Sequence, residues 1–316
     1  MRKMIVHRII QAVPMIFAIS VFSFLLMRFA PGDPSQAYVT PEMMAVDIER
    51  IKVNMGVYEP IHIQYVRWLK GALGGDLGFS LLNHRPVLKQ ISERLPATIG
   101  LMLAAMILSM ILGVLAGLLS AAHRNRFLDK FLTVTSYVGI SIPSFWLAMM
   151  LMYLFSLKLG LLPAIGMRSV GVHSTWDLIK HAILPVTVLS INNIGVIARY
   201  IRSSTISQLN EDYVTVALAS GASRTEVLYR YVLKNSILPV ITLAGMSLPN
   251  LVSGSFITES IFGWPGLGQL GMTAVLGLDY PLIMATTMFS SLLLIAGNLL
   301  SDILYGLADP RIKELN

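Results

Sequence analysis

The sequence predicts an all-α polytopic membrane protein, with six transmembrane helices and an extracytoplasmic segment after the first. Three observations carry that prediction. The chain of 316 residues is 55% hydrophobic and only 13% charged, against about 25% charged residues in a soluble globule. Six runs contain no Asp, Glu, Lys or Arg: residues 9–27, 95–122, 131–157, 182–198, 235–258 and 280–301. Each is near or above the roughly 20 residues that cross a bilayer as a helix. The basic residues, finally, collect beside alternate ends of those runs, as membrane topology requires.

The first run follows Arg2, Lys3 and Arg8, as a signal peptide would. It is read as a retained helix, because the apolar run is long and Arg28 stands where cleavage needs a small residue. Residues 31–94 then hold seven acids and seven bases. Within them Ile61, Tyr65, Trp68 and Leu69 outline a short helix lying against something. Two readings stand for it: a helix on the membrane surface, or a docking surface for an external protein or cap over a pore. The third run is interrupted by Ser141, Pro143 and Ser144, and residues 162–166 form a turn after it. The fourth, with 17 residues, is short and is expected to continue past Arg199, whose side chain can snorkel to the interface. Pro249 kinks the fifth, and residues 262–268 make a tight turn after it. Trp264 suits the interfacial aromatic belt, and residues 268–278 read as a short interfacial helix.

Lys and Arg in the short loops set the orientation. The N-terminal tail, the loop 123–130 (Arg124, Arg126, Lys130), the loop 199–234 (Arg199, Arg202, Arg224, Arg230, Lys234) and the C-terminal tail (Arg311, Lys313) fall on one side. Both termini are therefore expected in the cytoplasm. The division that follows is a tail and first helix over 1–30, an extracytoplasmic segment over 31–94, a core over 95–305 with the cytoplasmic loop 199–234, and a tail over 306–316.

Several function classes are disfavoured. The chain has no cysteine, so thiol catalysis, disulfides and cysteine-ligated metals are excluded. No Lys follows a Gly, so there is no Walker A loop, and there is no H-E-x-x-H pair. The net charge of +7 sits beside apolar runs, which argues for topology and against nucleic-acid binding. No run carries an ionisable residue of the kind that carriers and pumps use. His7, His84, His123 and His181 lie at span ends or in loops, as ordinary interface residues do. The weakly polar features inside the spans are Asn192, Asn193, Asn250, Asn298 and Ser144. They read either as interhelical hydrogen bonding or, for Asn192, Asn193, Asn250 and Ser144, as the lining of a weakly polar path that passes varied solutes.

The longest charged segment of the second half, residues 210–239, reads as helix, glycine turn and helix. Asn210 is positioned to cap the first helix, with Glu211 and Asp212 in its first turn. Gly221 is the stop, and Ser223 with Glu226 forms an S-x-x-E capping box. A helix of about ten residues is marginal alone, so this one is expected to lean on something else, another subunit being one candidate.

Residues 213–221 (Tyr-Val-Thr-Val-Ala-Leu-Ala-Ser-Gly), followed by Leu238-Pro239, resemble the cytoplasmic EAA loop of ABC importer permeases, in the variant of the dipeptide/oligopeptide family that also includes nickel and glutathione permeases. Further matches are Pro31-Gly32-Asp33-Pro34, residues 75–80 (Gly-Asp-Leu-Gly-Phe-Ser), residues 141–146 (Ser-Ile-Pro-Ser-Phe-Trp), residues 259–268, Asp279-Tyr280-Pro281 and Asp309-Pro310-Arg311. The resemblance spans essentially the whole chain and is strongest to the B-type permease. The chain departs from the general motif in that Thr215 and Val216 stand at its first two positions, and only Ala217 is kept.

The resemblance implies a type I importer fold and a non-catalytic subunit translocating peptides across the cytoplasmic membrane. It implies a second, homologous permease as heterodimer partner, two ATPase subunits at the cytoplasmic loops, and an extracytoplasmic solute-binding protein. ATP and Mg would be bound by the partners, with no cofactor or metal in this chain. The residues placed at the ATPase contact are Tyr213, Thr215, Ala217, Ala219, Gly221, Ser223 and Glu226. Alternatives are the same importer class carrying nickel or glutathione, a secondary transporter, or a membrane-embedded enzyme.

Overall fold

Helices account for nearly all of the regular structure, and one proline decides how they are cut. The computed structural model describes residues 2–29, 43–44, 46, 49–50, 53, 58–236, 251–252 and 255–308. The helices are α1 (Arg2–Phe29), α2 (Ile61–Leu73), α3 (Val87–Ala122), α4 (Phe127–Ser141), α5 (Ser144–Leu151, prolonged as a π-helix over Met152–Lys158), α6 (Thr175–Leu209), α7 (Asp212–Ala219), α8 (224–236), α9 (Leu267–Leu276) and α10 (Tyr280–Ala308). Residues 255–261 are also helical.

Among the described residues, four helices are long and apolar enough to cross a membrane: Val6–Phe29, Val87–Ala122, Thr175–Leu209 and Tyr280–Ile303. The third expected span is two helices, α4 and α5, bent by 105°. Ile142 is extended (φ −74, ψ 126), as a residue before proline tends to be. Pro143 lacks the N–H that would continue the ladder. The fourth span extends to Leu209, ten residues past Arg199. Most of the expected fifth span, including Pro249 and Asn250, lies outside the described residues.

The chain divides into two compact units, and α3 and α10 each contribute residues to both. One unit comprises residues 6–98 and 265–293. Its core joins Val87 and Ile91 of α3, Leu267, Leu270 and Ala274 of α9, and Leu282 and Ala285 of α10. Helix α9 starts at Gly266, which has no side chain to cap it. Thr98 supplies the acceptor, taking the Leu267 N–H at 2.7 Å. The expected interfacial helix thus has one buried face.

Two motifs far apart in the chain close on each other in this unit. Ser80 Oγ donates to Asp279 Oδ2 at 2.5 Å. The other Asp279 oxygen accepts the Leu282 N–H at 3.2 Å, so Asp279 is the N-cap of α10. Pro281 lies in the first turn, where its missing N–H costs nothing. Asp279→Ala is expected to cost about 1–2 kcal/mol, as loss of an N-cap does. Asp279→Asn should cost less, which thermal unfolding of the purified chain would show.

The second unit comprises residues 1–5, 99–264 and 294–316. Here α6 is the central element, packed on α3 and α4. Ser190 Oγ donates to the Ala105 carbonyl at 3.1 Å, and Ser109 Oγ donates to the Ser190 carbonyl at 3.3 Å. Gly113 and Gly117 of α3 let α6 approach closely. A Cβ on Gly117 would stand 2.6 Å from the Ala198 carbonyl oxygen. This is the small-xxx-small pattern of membrane helix pairs. The two turns noted in the sequence also meet, since the Gly166 N–H donates to the Phe262 carbonyl at 2.8 Å. Trp264 corrects an expectation: it is 3% exposed, and its N–H closes the turn on the Glu259 carbonyl at 2.9 Å. The tight turn folds the indole inward and away from an interfacial belt.

Candidate functional site

The charged loop is built from the end of α6 onward. Asn210 does not cap α7. It closes α6, with φ −93 and ψ 0, and Glu211 takes the N-cap position in extended geometry without a side-chain hydrogen bond. The cause is the length of α6, which runs to the residue before Asn210 and uses that asparagine as its own terminator. Asp212 still falls in the first turn of α7, where a carboxylate suits the helix dipole.

Helix α7 buries Val214 and Ala217, three residues apart and so on one face. They join Leu118, Ile197, Ile201, Val227, Leu228 and Val232 in a single apolar cluster. The opposite face carries Thr215, Val216, Leu218 and Ala219, all exposed. Val216 is 64% and Leu218 42% exposed, an unusual expense for a short helix at a polar loop. The helix ends in a Schellman turn: the Ala222 N–H donates to the Ala217 carbonyl at 3.1 Å, and the Gly221 N–H donates to the Leu218 carbonyl at 3.0 Å. Gly221 has φ +88, which is why glycine stands there.

Ser223 starts α8 by accepting the Glu226 N–H at 3.2 Å. Glu226 turns its carboxylate forward to Arg230, at 3.2 Å. The middle of α8, Val227–Val232, is π-helical. The i→i+5 spacing of that turn brings Val227 and Val232 to the same buried side. Tyr213 ties the three helices together: its hydroxyl donates to Gln208 Oε1 of α6 at 2.8 Å and accepts from Asn235 Nδ2 of α8 at 3.4 Å. The result is a groove of about 590 Å³ lined by Tyr213, Val216, Ala217, Gly221, Glu226 and Tyr231 among others.

Of the residues singled out in the sequence, Tyr213, Ala217, Gly221 and Glu226 therefore meet at one groove. Thr215, Ala219 and Ser223 are exposed beside it. The polar residues of the spans are placed differently. Asn192 is exposed and its Nδ2 donates to the Ile140 carbonyl of α4 at 3.3 Å. Asn193 is buried and donates to the Leu189 carbonyl of its own helix at 3.3 Å. Ser144 is half-buried in the first turn of α5. Asn250 and Pro239 lie outside the described residues.

One constellation was not singled out from the sequence. Arg202, seven residues before the end of α6, makes a two-pronged pair with Asp129 of α4: Nε to Oδ1 at 2.6 Å and Nη2 to Oδ2 at 2.8 Å. Asp129 is 2% exposed and also accepts from Ser120 Oγ at 2.5 Å and the Asn125 N–H at 2.8 Å. Such a fork-shaped pair is strong and directional. It holds the C-terminal end of α3, the start of α4 and the last turns of α6 at one point. The available signal was a lone acid in a loop otherwise holding Arg124, Arg126 and Lys130.

Residues 113–314 match the family model described as binding-protein-dependent transport system inner membrane component, and residues 1–102 match the model of its N-terminal region. The chain is 38% identical over 315 residues to the oligopeptide transport system permease protein AppB of Bacillus subtilis, covering 99% of this chain and 100% of that protein. It is 36% identical over 313 residues to the glutathione transport system permease protein GsiC of Escherichia coli, covering 99% of each. Among solved structures, inward-facing MetNI methionine ABC transporter aligns with a TM-score of 0.54 at 17% identity, over 72% of this chain and 97% of that one. At that identity the last comparison speaks for the fold.

Proposed function

The chain belongs to the family of binding-protein-dependent transport system inner membrane components, and from that premise we propose that it is the permease subunit of an ATP-driven peptide importer whose ATPase docks on α7. The chain is an integral, multi-pass protein of the inner membrane. The observation that carries the docking reading is the two-sided character of α7. Its inner face is anchored by Val214 and Ala217, and its outer face presents Val216 and Leu218 beside Thr215, Ala219 and Gly221. A short helix that spends apolar residues outward is completed by a partner.

In this reading Ala217, the motif alanine that is kept, is the packing base of α7, and Thr215, Ala219 and Gly221 meet the ATPase. Ser223 and Glu226 fix the start of α8, and Tyr213 locks α7 to its neighbours, so a push on α7 is delivered to α6 and α8 together. A conformational cycle requires the ATPase to hold α7 differently in its two states. ATP and Mg belong to two partner ATPases. A second, homologous permease completes the translocation path as a heterodimer, and an extracytoplasmic binding protein delivers the cargo. Both termini lie in the cytoplasm. Asn192, Asn193, Asn250 and Ser144 remain the candidates for weakly polar path lining; the exposed Asn192 has the better placement of those described. Peptide cargo is supported by the oligopeptide and glutathione permeases to which the chain is similar.

Gly221 provides the test. A Cβ there would meet nothing within 4 Å, so the first atom of a side chain finds open space, while the φ of +88 strains any residue that tolerates left-handed geometry poorly. Asn tolerates positive φ far better than β-branched residues do. Gly221→Trp is expected to insert normally yet to lose ATPase co-purification and peptide uptake by roughly tenfold or more, a loss of about 1.4 kcal/mol of contact. Gly221→Asn should retain most of both. Normal uptake in Gly221→Trp would remove this turn from the ATPase contact.

A further inference from the structure

Two grooves, of about 550 and 540 Å³, open along the seam between α4 and α6, both inside the unit that contains residues 99–264. The helices touch through glycine. A Cβ on Gly195 would stand 2.7 Å from the Ser136 carbonyl oxygen, so backbone closes the bottom of the seam. Tyr137, Arg199, Tyr200 and Ser203 line the first groove. The second lies at the Pro143 elbow, among Ser141, Ile142, Phe145 and Trp146. Tyr137 lines both, so the grooves meet at its ring.

Arg199 gives the first groove its charge. Its guanidinium lies over the Tyr137 ring, 4.5 Å from the centroid. Among the described residues that ring is its partner, and it has no ion pair. A guanidinium on a ring face keeps its N–H edge for an anion. Arg202 differs, because its fork is committed to Asp129. Among the described residues no acid lines either groove. Ser203 is exposed and stands one turn after Arg199 on the same face. The elbow is apolar, with Phe145 48% and Trp146 46% exposed.

The polarity of this face suits water better than lipid. Asn192, Val196, Arg199 and Ser203 follow one another at spacings of four, three and four, which makes them one stripe of α6. Asn192 lies inside the apolar run, is exposed, and donates one hydrogen bond, to the Ile140 carbonyl. Turning the rest of that amide to hydrocarbon would be costly. The dimensions are those of a short peptide. Tyr137 and Ser141 are about one turn of α4 apart, ~6 Å along its axis. An extended chain covers about 3.3–3.6 Å per residue, so two residues reach from Arg199 to the elbow.

We propose that this seam is a subsite for the C-terminal end of a short peptide: the α-carboxylate lies at Arg199 and Ser203, and the apolar side chains of the last two residues lie against Ile142, Phe145 and Trp146. Arg199 is then a specificity-determining residue that reads a free carboxylate. The proposal deepens the peptide-importer reading and rests on it for the cargo. Binding to this chain alone needs no ATPase, so its failure is distinct from a failure of transport or of docking at α7.

The test is saturation-transfer NMR on the full-length chain in phosphatidylcholine nanodiscs, with empty nanodiscs as background. The probes are the dipeptide Leu-Phe, its C-terminal amide and Ala-Ala. Leu-Phe is expected to bind roughly tenfold more tightly than its amide, the worth of one charge-assisted contact. Arg199→Gln should erase that difference by weakening Leu-Phe alone. Trp146→Ala should weaken Leu-Phe about fivefold by removing apolar wall, and should keep the preference for acid over amide. Tyr137→Phe, which keeps the ring under Arg199, should bind as the parent does. Equal binding of acid and amide by the parent chain would overturn the proposal, as would unchanged Leu-Phe binding in Arg199→Gln. Displacement of Leu-Phe by phosphatidylglycerol in the nanodisc would also overturn it and make Arg199 a lipid-headgroup site. Thermal midpoints equal to that of the parent chain show that a variant has lost the subsite and not its fold.

Discussion

Asp129→Ala is expected to destabilise the second unit by about 3 kcal/mol, the low end of the roughly 3–5 kcal/mol for breaking a buried ion pair. The low end applies because the Arg202 side chain is 30% exposed, against 3% for Asp129, and the freed guanidinium reaches water. The loss extends beyond Arg202. The Asn125 N–H, in a residue with φ +65, and Ser120 Oγ lose their acceptor as well. Asp129→Asn keeps an acceptor but not the charge and should fall between the parent and Asp129→Ala. The double variant Asp129→Leu/Arg202→Met should recover much of the loss, since apolar replacement of a buried pair is often neutral or better. Thermal unfolding of the purified chain measures all four. An Asp129→Ala variant within about 0.5 kcal/mol of the parent, the range of an ordinary surface change, would show that the pair holds nothing together. Because the pair sits seven residues before the end of α6, its loss should also loosen the base on which α7 stands.

Gly117→Leu should be at least as damaging. The ideal Cβ at this position lies 2.6 Å from both the Ala198 carbonyl oxygen and Ile201 Cβ. The clash is with backbone and a β-branched stem, neither of which can rotate away. Overpacking of a tight interface costs about 1–3 kcal/mol, and a leucine adds three more heavy atoms beyond the Cβ. We expect little folded protein in size-exclusion chromatography. Gly117→Ala should fold with a lowered thermal midpoint, and Gly113→Ala should behave similarly, its Cβ being 2.7 Å from Ile197. Gly100→Ala is the control. It lies on the same helix, its Cβ would meet nothing within 4 Å, and it should be neutral or stabilising by up to about 1 kcal/mol through helix propensity. A Gly117→Leu variant as stable as Gly100→Ala would show that α3 and α6 do not approach as described.

Local chemistry was legible throughout. The Gly221 stop needs only a residue that tolerates positive φ, and the Ser223 cap needs only a hydroxyl three residues before an orphan N–H. The break at Pro143 follows from a missing donor. Asn210 caps α6 and not α7 because two helices compete for one capping residue, and which one claims it depends on how far α6 runs. That length is set by packing of Ile197 and Ile201 against α3 and α8, which no window of sequence contains. Trp264 was misplaced because an indole near a span end reads as interfacial until a turn folds it inward.

The sequence by itself determined the membrane class, most of the spans, the helix–turn–helix form of residues 212–236 and the family, because hydropathy, turn chemistry and motif order are carried by neighbouring residues. Only the tertiary structure decided which groups meet. Ser80 and Asp279 are 199 residues apart, and Asp129 and Arg202 are 73 apart. Each is an unremarkable polar residue in the sequence until packing buries the two carboxylates and brings these donors to them. The same holds for α7. Its sequence shows small and apolar residues, and only burial of Val214 and Ala217 reveals that Val216 and Leu218 face outward.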